Sequence, residues 1–248
     1  MHRFFVSNTD ISGDKLFIRD KNELNHIKKV LRLKVGDRIL VFDGSGYEYE
    51  ALIVNTSMEI GEATIINKLF NPNNTKFNLS LVQGIAKGDK MDLIVQKAVE
   101  LGVASIYPVL TEHTVVSYQG DKAMKKVARW KSVAVEACKQ CQRNTLLDIK
   151  PISSLAKVIK EIDSHNAIML YEKETDIRLK ELLKSLDFIE KNDLFLMVGP
   201  EGGFSDIEVA LARQNNINIA TLGSRILRTE TASLIGAAIV LYELGDLG

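Results

Sequence analysis

Two short stretches near the carboxyl end hold most of the residues that could do chemistry. The first, Val198 to Glu208, reads VGPEGGFSDIE and sets a proline, a carboxylate and three glycines between an apolar run and a helical pattern. Ser205 and Glu208 have the spacing of a capping box, which predicts a helix starting at Ser205 and leaves the glycines in the turn that feeds it. Free backbone amides then face out of a turn at the carboxyl end of a strand, where open α/β sheets take their ligands. A phosphate cradle calls for a lysine or a G-x-G-x-x-G run; this loop has neither, and Glu201 would repel a phosphate. A neutral or cationic ligand fits better, with Glu201 or the loop carbonyls facing its charge. The alternative is that Pro200 and the glycines only make a tight turn.

The second stretch, Leu222 to Leu244, reads LGSRILRTETASLIGAAIVLYEL. Arg225 and Arg228 precede Thr229-Glu230-Thr231, which opens an Ala-rich, almost uncharged helix. A helix this apolar is expected to be buried all round, in a core or against a second subunit. Thr229 or Thr231 could cap it and Glu230 suits its first turn, so helix initiation alone explains those three. Two guanidinium groups beside a buried helix start fit that explanation less well and call for an anionic or nucleotide partner.

Other chemistry is weaker. Cys138 and Cys141 form a C-x-x-C, but no second Cys pair or His cluster completes a metal site, and Val127, Trp130, Ala134, Ala137 and Cys141 recur at helical steps. Cys141 is most simply a small core residue. His2, His26, His113 and His165 are scattered, so no metal is expected. Thirty-two basic and thirty-two acidic side chains cancel, yet Lys28, Lys29, Arg32, Lys34 and Arg38 outweigh Asp37, and seven basic residues between Asp121 and Arg143 outweigh Asp121 and Glu136. Either run could neutralise phosphates or be a solvated face.

The elements that must position these residues fall into two grammars. The first seventy or so residues alternate in strand fashion, with Asp43-Gly44-Ser45-Gly46 joining two runs as a hairpin, which predicts a small β-domain. Asn71-Pro72-Asn73-Asn74-Thr75 is the expected linker, giving domains over 1–72 and 73–248. Beyond it, LSLVQGI, ASIYPVL, AIMLY and LFLMVG are near-continuous apolar runs, the mark of a parallel sheet covered on both faces. Helical patterns alternate with them at Asp89 to Leu101, Lys122 to Gln142, Ser154 to Ile162, Ile177 to Leu186, Asp206 to Gln214 and Thr231 to Leu244. The second part is therefore α/β. The opening MHRFFVSNTD has no secretion-signal pattern and no apolar run nears the roughly 20 residues of a membrane span, so a cytoplasmic protein without a membrane partner is expected.

GPEGGFS at 199–205 and LGSRILRTETA at 222–232 resemble the signature loops of SPOUT-superfamily RNA methyltransferases of the RsmE type. HRFFV at 2–6, HIKKVLRLKVGD at 26–37, KGDKMDLIVQKAVELGV at 87–103 and EACKQCQRN at 136–144 extend the resemblance over the whole chain. It implies a PUA-like β-barrel that helps hold RNA, followed by a trefoil-knotted α/β SPOUT domain that binds S-adenosylmethionine and works as a homodimer. The implied reaction is methylation of N3 of a uridine in 16S ribosomal RNA, free or in the small ribosomal subunit. By the same resemblance Leu170, Tyr171, Glu172, Val198, Gly199, Pro200, Gly202, Gly203, Leu222, Gly223, Ile226, Leu227, Arg228 and Thr231 would hold the cofactor. Arg3, His26, Lys28, Arg32, Lys87, Lys90, Lys97 and Arg143 would meet RNA. Uridine N3–H must lose its proton, so positive charge near O2 and O4, or a base, is needed; Arg228 is the first candidate and Glu230 a weaker one, because an unperturbed glutamate is a poor base for this proton. The rivals are an RNA-binding or ribosome-assembly module that kept the fold without turnover, and a nucleotide-dependent oxidoreductase, which the missing G-x-G-x-x-G disfavours.

Overall fold

The computed structural model describes all residues except 58, 72–76, 116, 117, 119, 163–165, 186–192, 246 and 248. The chain forms two compact units, Met1–Asn74 with Cys138–Leu146, and Thr75–Ala137 with Leu147–Gly248. The expected boundary at 72/73 lies outside the described residues, as does most of the expected linker.

The first unit is a six-stranded sheet built from β1 (His2–Phe5), β2 (Ile11–Ser12), β3 (Lys15–Ile18), β4 (Arg38–Phe42), β5 (Tyr47–Thr56) and β6 (Gly61–Phe70), in the order β1-β4-β5-β6-β3-β2. Only β1 and β4 pair in parallel; the other neighbours are antiparallel. The hairpin predicted at Asp43 to Gly46 joins β4 to β5, with Gly44 and Gly46 at φ +81° and +100°. Alternate residues of the strands, among them Phe4, Leu16, Ile39, Val41, Tyr49 and Ala63, share one core with Leu24 of α1 (Lys21–Asn25) and Ile27 of the π-helical turn that follows it, His26–Val30. The unit also takes in Cys138–Leu146, which a reading of the chain as two consecutive domains leaves elsewhere. Hydrogen bonds explain its place: Gly46 N to Asn144 O (3.1 Å), Leu146 N to Gly44 O (3.0 Å) and Asn144 Nδ2 to Asn71 O (2.9 Å).

The second unit is built on a parallel sheet of β7 (Asn78–Gly84), β8 (Ser105–Leu110), β9 (Asp148–Ile149), β10 (Ser153–Ser154), β11 (Ala167–Leu170), β12 (Asp193–Val198) and β13 (Asn218–Ala220). Its order is β10-β8-β7-β12-β11-β13, with β9 also on β8. Helices α2 (Lys90–Leu101), α3 (Asp121–Cys141, of which Cys138–Cys141 belongs to the first unit), α4 (Leu155–Glu161), α5 (Leu179–Ser185), α6 (Asp206–Gln214) and α7 (Thr229–Glu243) complete it. Met169 and Met197 of the sheet pack with Val158 and Ile159 of α4 and Val209 and Ala212 of α6. Their strand neighbours Leu170 and Leu196 point the other way, onto α7, where a Cβ on Gly236 would stand 2.9 Å and 3.0 Å from their methyl carbons. A side chain at 236 would push these two leucine methyls aside, so glycine is what lets helix and sheet approach this closely as they stand.

Helix α7 starts at Thr229, two residues before the expected position, because Arg228 already has the extended backbone of an N-cap. This chain alone covers only one side of it. Thr229, Ser233, Gly236, Ala237, Val240 and Leu241 form one covered stripe, while Ile235 and Tyr242 are 43% and 66% exposed. Composition could not distinguish a helix covered on every side from one with a second apolar face left open. No helix among the described residues is long and apolar enough to cross a membrane.

Candidate active site

The loop that follows β12 is shaped by its own residues. Ser205 Oγ accepts from Glu208 N (3.2 Å) and Glu208 Oε2 accepts from Ser205 N (2.9 Å), the reciprocal cap that the S-x-x-E spacing predicts. Gly203 has φ +67°, and a Cβ on Gly199 would stand 2.9 Å from the carbonyl carbon of Gly203. The glycines therefore let the turn fold onto itself. They also open it to its neighbours: a Cβ on Gly203 would meet Glu172 Oε1 at 2.8 Å, and one on Gly202 would meet His113 Cβ at 2.8 Å. His113 Nδ1 lies 2.9 Å from Gly202 O, and since a carbonyl only accepts, Nδ1 carries the proton.

Beyond the carboxyl ends of β11, β12 and β13 lies a cavity of about 400 Å³, within the range of small-molecule sites. Leu170, Tyr171 and Glu172 line it from one strand end; Val198, Gly199, Pro200, Glu201, Gly202 and Gly203 from the next. Thr221, Leu222, Gly223, Arg225, Ile226, Leu227, Arg228, Thr229 and Ala232 line it from the segment leading into α7, and Lys90 reaches it from the start of α2. Of the fourteen residues expected to hold a cofactor, only Thr231 lies off this wall. Thr221, Thr229 and Ala232 are wall residues that the sequence did not assign to a ligand. Thr229 had a signal, its place directly after Arg228, which capping seemed to explain.

Charge in the wall is arranged in a way the sequence did not reveal. Glu201, expected to face a ligand's charge, is already paired: Lys90 Nζ lies 2.9 Å from its Oε1, and Lys87 N donates to the same oxygen at 3.1 Å. Burial pulls the Glu201 carboxyl upward, but hydrogen bonds from Lys90 and from backbone amides outweigh it and hold the group below the usual carboxylate range. The Glu201 hydrogen bond in turn raises Lys90 above an ordinary lysine. Lys90 also stands 3.5 Å from Glu230 Oε2, and Glu230 lies off the cavity wall.

Tyr171 is pushed up by burial and by the bond its hydroxyl donates to Asp206 Oδ1 (2.7 Å), an oxygen that Lys173 Nζ also reaches at 2.9 Å. Those two donors hold Asp206 low. Three charged wall residues, Glu172, Arg225 and Arg228, are exposed, and their side chains make no hydrogen bond or ion pair among the described residues. Among the described residues no anionic partner is supplied to the two arginines.

The residues expected to meet RNA have different fates. Arg3 is consumed inside the first unit: its side chain is 8% exposed, pairs with Glu48 (3.1 Å), donates to Cys138 O, Arg143 O and Asn144 Oδ1, and lies 4.1 Å from the Phe42 ring centre. A guanidinium with that many internal partners is closed to phosphate, which corrects the expectation. Arg143 is half-buried and donates to Thr145 Oγ1 at 3.1 Å; burial lowers its pKa from the ordinary arginine value. Lys97 pairs with Glu100 (2.8 Å), and Lys90 sits in the cavity wall.

His26 is half-buried with its ring edge-on to Phe4. Lys28, Lys29 and Arg32 remain partly or fully open along the π-helical turn and just after it, where Arg32 takes φ +56°. Lys87 is exposed. Cys138 is buried and Cys141 half-buried, and neither is in a disulfide. Among the described residues no group of three or more His, Cys, Asp or Glu stands where it could hold a metal.

Comparison with known proteins gives a consistent picture. A family model described as an RNA methyltransferase domain matches residues 73–241, and one described as an RNA methyltransferase PUA domain matches 18–58. The chain is similar to proteins named ribosomal RNA small subunit methyltransferase E: that of Bacillus subtilis is 29% identical, with 98% of this chain and 97% of the relative covered. That of Rickettsia conorii is 30% identical, with 96% and 94% covered. Among solved structures, the Neisseria gonorrhoeae ribosomal RNA small subunit methyltransferase E bound to S-adenosyl methionine is 32% identical, covers 96% and 95%, and gives a TM-score of 0.83. A Legionella pneumophila protein in complex with the bound cofactor SAM is 29% identical, covers 97% and 96%, and gives 0.86.

Proposed function

We propose, from the premise that this chain belongs to the RNA methyltransferase family whose model spans residues 73–241, that it methylates N3 of a uridine in small-subunit (16S) ribosomal RNA with S-adenosylmethionine as donor. The fold class is the one the resemblance implied, an α/β SPOUT methyltransferase domain preceded by a PUA-like domain.

The observation that carries the reading is one cavity walled by three strand-end segments, with an unpaired carboxylate on one side and two unpaired guanidiniums on another. These residues fit a sulfonium nucleoside. Leu170, Val198, Leu222 and Leu227 give apolar surface for a base, the loop around Gly199 to Gly203 brings backbone close to a ligand, and Glu172 offers the only wall carboxylate not already paired with Lys90, whose partner is Glu201. Pairing of Glu201 moves the task of meeting a positive ligand to Glu172. When bound, the cofactor supplies the methyl group.

The chain's own contribution is position and charge. An acceptor held in line by walls that do not move gains most of the rate available to such a transfer. Arg228, exposed at the mouth and free of internal partners, stands where it can stabilise the negative charge that spreads to O2 and O4 as uridine N3 gives up its proton to solvent. Glu230 is not assigned a role as base, because its carboxylate lies beside Lys90 and off the wall.

Lys28, Lys29 and Arg32 in the first unit are the cations we assign to RNA phosphates. The protein acts as a homodimer in the cytoplasm; the open face of α7, with Ile235 and Tyr242, supports the dimer. Ile235→Asp should then yield monomers in sedimentation, and an unchanged sedimentation coefficient would contradict that interface. The activity is tested by incubating purified protein with labelled S-adenosylmethionine and either small subunits or naked 16S RNA from cells lacking the gene. Label recovered in N3-methyluridine supports the reading, and retention of RNA without label would favour the binding module instead.

A further inference from the structure

We infer that Thr229, held from behind by Gln83, is a positioning residue for methyl transfer: it fixes the loop after β12 and the first turn of α7 relative to one another. The inference rests on the methyltransferase reading of the cavity.

Thr229 is 4% exposed and its hydroxyl donates to Gly199 O at 2.6 Å. With its one proton committed to a carbonyl, that hydroxyl can only accept from Gln83, whose Nε2 reaches it at 3.1 Å. The second Nε2 proton goes to Gly84 O at 2.8 Å, and Gln83 Oε1 accepts from Ser233 Oγ, one turn further along α7. Ser233 Oγ has one proton for two acceptors, Gln83 Oε1 and Thr229 O at 2.8 Å, and turning the amide over would set its oxygen against Gly84 O, acceptor against acceptor. Gln83 and Ser233 are fully buried.

Capping does not explain this hydroxyl. Arg228 is the N-cap of α7 and makes no side-chain cap bond, whereas Thr229 bonds away from its own helix to a different loop. An apolar residue here would leave the Gly199 and Gly84 carbonyls without these donors, since backbone oxygens cannot be substituted away. What the polar trio adds is a fixed distance between Gly199, in one wall of the cavity, and Arg228, the residue immediately before Thr229 in another. Pro200 is held from the same side, since a Cβ on Gly84 would stand 2.5 Å from its ring.

Thr229→Val removes the hydroxyl at nearly constant shape, and Thr229→Ser restores it. In hydrogen exchange on the ligand-free protein, Thr229→Val should speed exchange at residues 199–204 and 225–230 by about tenfold while the central strands stay protected; Thr229→Ser should match the unaltered protein. Well below the melting temperature, kcat should fall by about 10²-fold, the usual consequence of misplacement near 1 Å, with a smaller change in affinity for S-adenosylhomocysteine. A merely structural hydroxyl would lower the melting temperature and leave kcat of the folded protein intact. Gln83→Met, which keeps Thr229, should show the same pattern at lower amplitude and carries the test if Thr229→Val does not fold. Unchanged exchange in both segments, or an unchanged kcat, overturns the inference. Should the unaltered protein transfer no methyl group, the functional reading fails and the exchange comparison alone decides the role of Thr229.

Discussion

Replacing Arg228 with alanine should separate catalysis from every structural role. The side chain is exposed, makes no cap bond although it is the N-cap of α7, and has no partner among the described residues. Its loss should therefore shift stability by no more than about 0.5 kcal/mol, the range for surface positions without special contacts. Losing one preorganised donor at a developing anion costs about 10²–10³ in kcat, or roughly 2.7–4 kcal/mol. Because this residue sits at an open mouth rather than in a dry interior, the low end applies, about 10²-fold. Arg228→Lys keeps the charge without the planar fork and should recover about tenfold of that loss. Affinity for S-adenosylhomocysteine should change by less than about threefold, since the lost interaction belongs to the reacting uridine. The assay is single-turnover transfer of a labelled methyl group to small subunits, with melting and calorimetric titration on the same preparations. A variant that melts normally, binds normally and still transfers within about threefold of the unaltered rate would refute the assignment.

Glu172→Gln should weaken binding of S-adenosylmethionine by about threefold, a modest effect because an exposed ion pair contributes under ~1 kcal/mol. Calorimetry with the uncharged thioether product should show almost no change, and equal weakening of both would move Glu172 from the sulfonium to another cationic group. In the first unit Tyr49, 2% exposed, is pushed up to about 12 by burial and by the bond it donates to Asp43 Oδ2 at 3.0 Å. Its folded value lies above the unfolded 10.0, so its contribution is complete below pH 10 and disappears as pH rises through 12, a loss of about 2.7 kcal/mol. The stability difference from Tyr49→Phe, followed by denaturation between pH 9 and about 12, should shrink across that window; a flat difference would contradict the burial argument. Arg3→Ala should destabilise the first unit by about 3–5 kcal/mol, as breaking a buried charged network does, while RNA affinity at a temperature where it stays folded is unchanged. Weaker RNA binding at full stability would return Arg3 to the phosphates.

What could be read from the chain was local or carried in a short motif. Ser205 and Glu208 announce their cap because the two groups that bond are three residues apart, and Gly102 closes α2 in the left-handed conformation its place implies. The wall segments 199–203 and 222–228 were legible as short runs of consecutive residues, while 170–172 came only with the family resemblance. Pairings across long stretches of chain were not. Nothing in GPEGG says that Glu201 is neutralised by Lys90, 111 residues earlier, and nothing in HRFFV says that Arg3 turns inward to Cys138 and Asn144. The Ala-rich composition of α7 shows that much of its surface avoids water, but not which stripe meets this chain's own sheet. Thr229 and Thr231 stand as alternative caps in the sequence because spacing can nominate a hydroxyl but not say where it points.

The central claim is that this chain places one methyl group on N3 of one uridine in small-subunit RNA. Mass spectrometry of ribosomal RNA nucleosides from its source cells with the gene deleted tests that most directly. The account predicts that N3-methyluridine disappears from the small-subunit RNA and returns with the unaltered gene but not with Arg228→Ala. Full retention of that nucleoside in the deleted strain would contradict it.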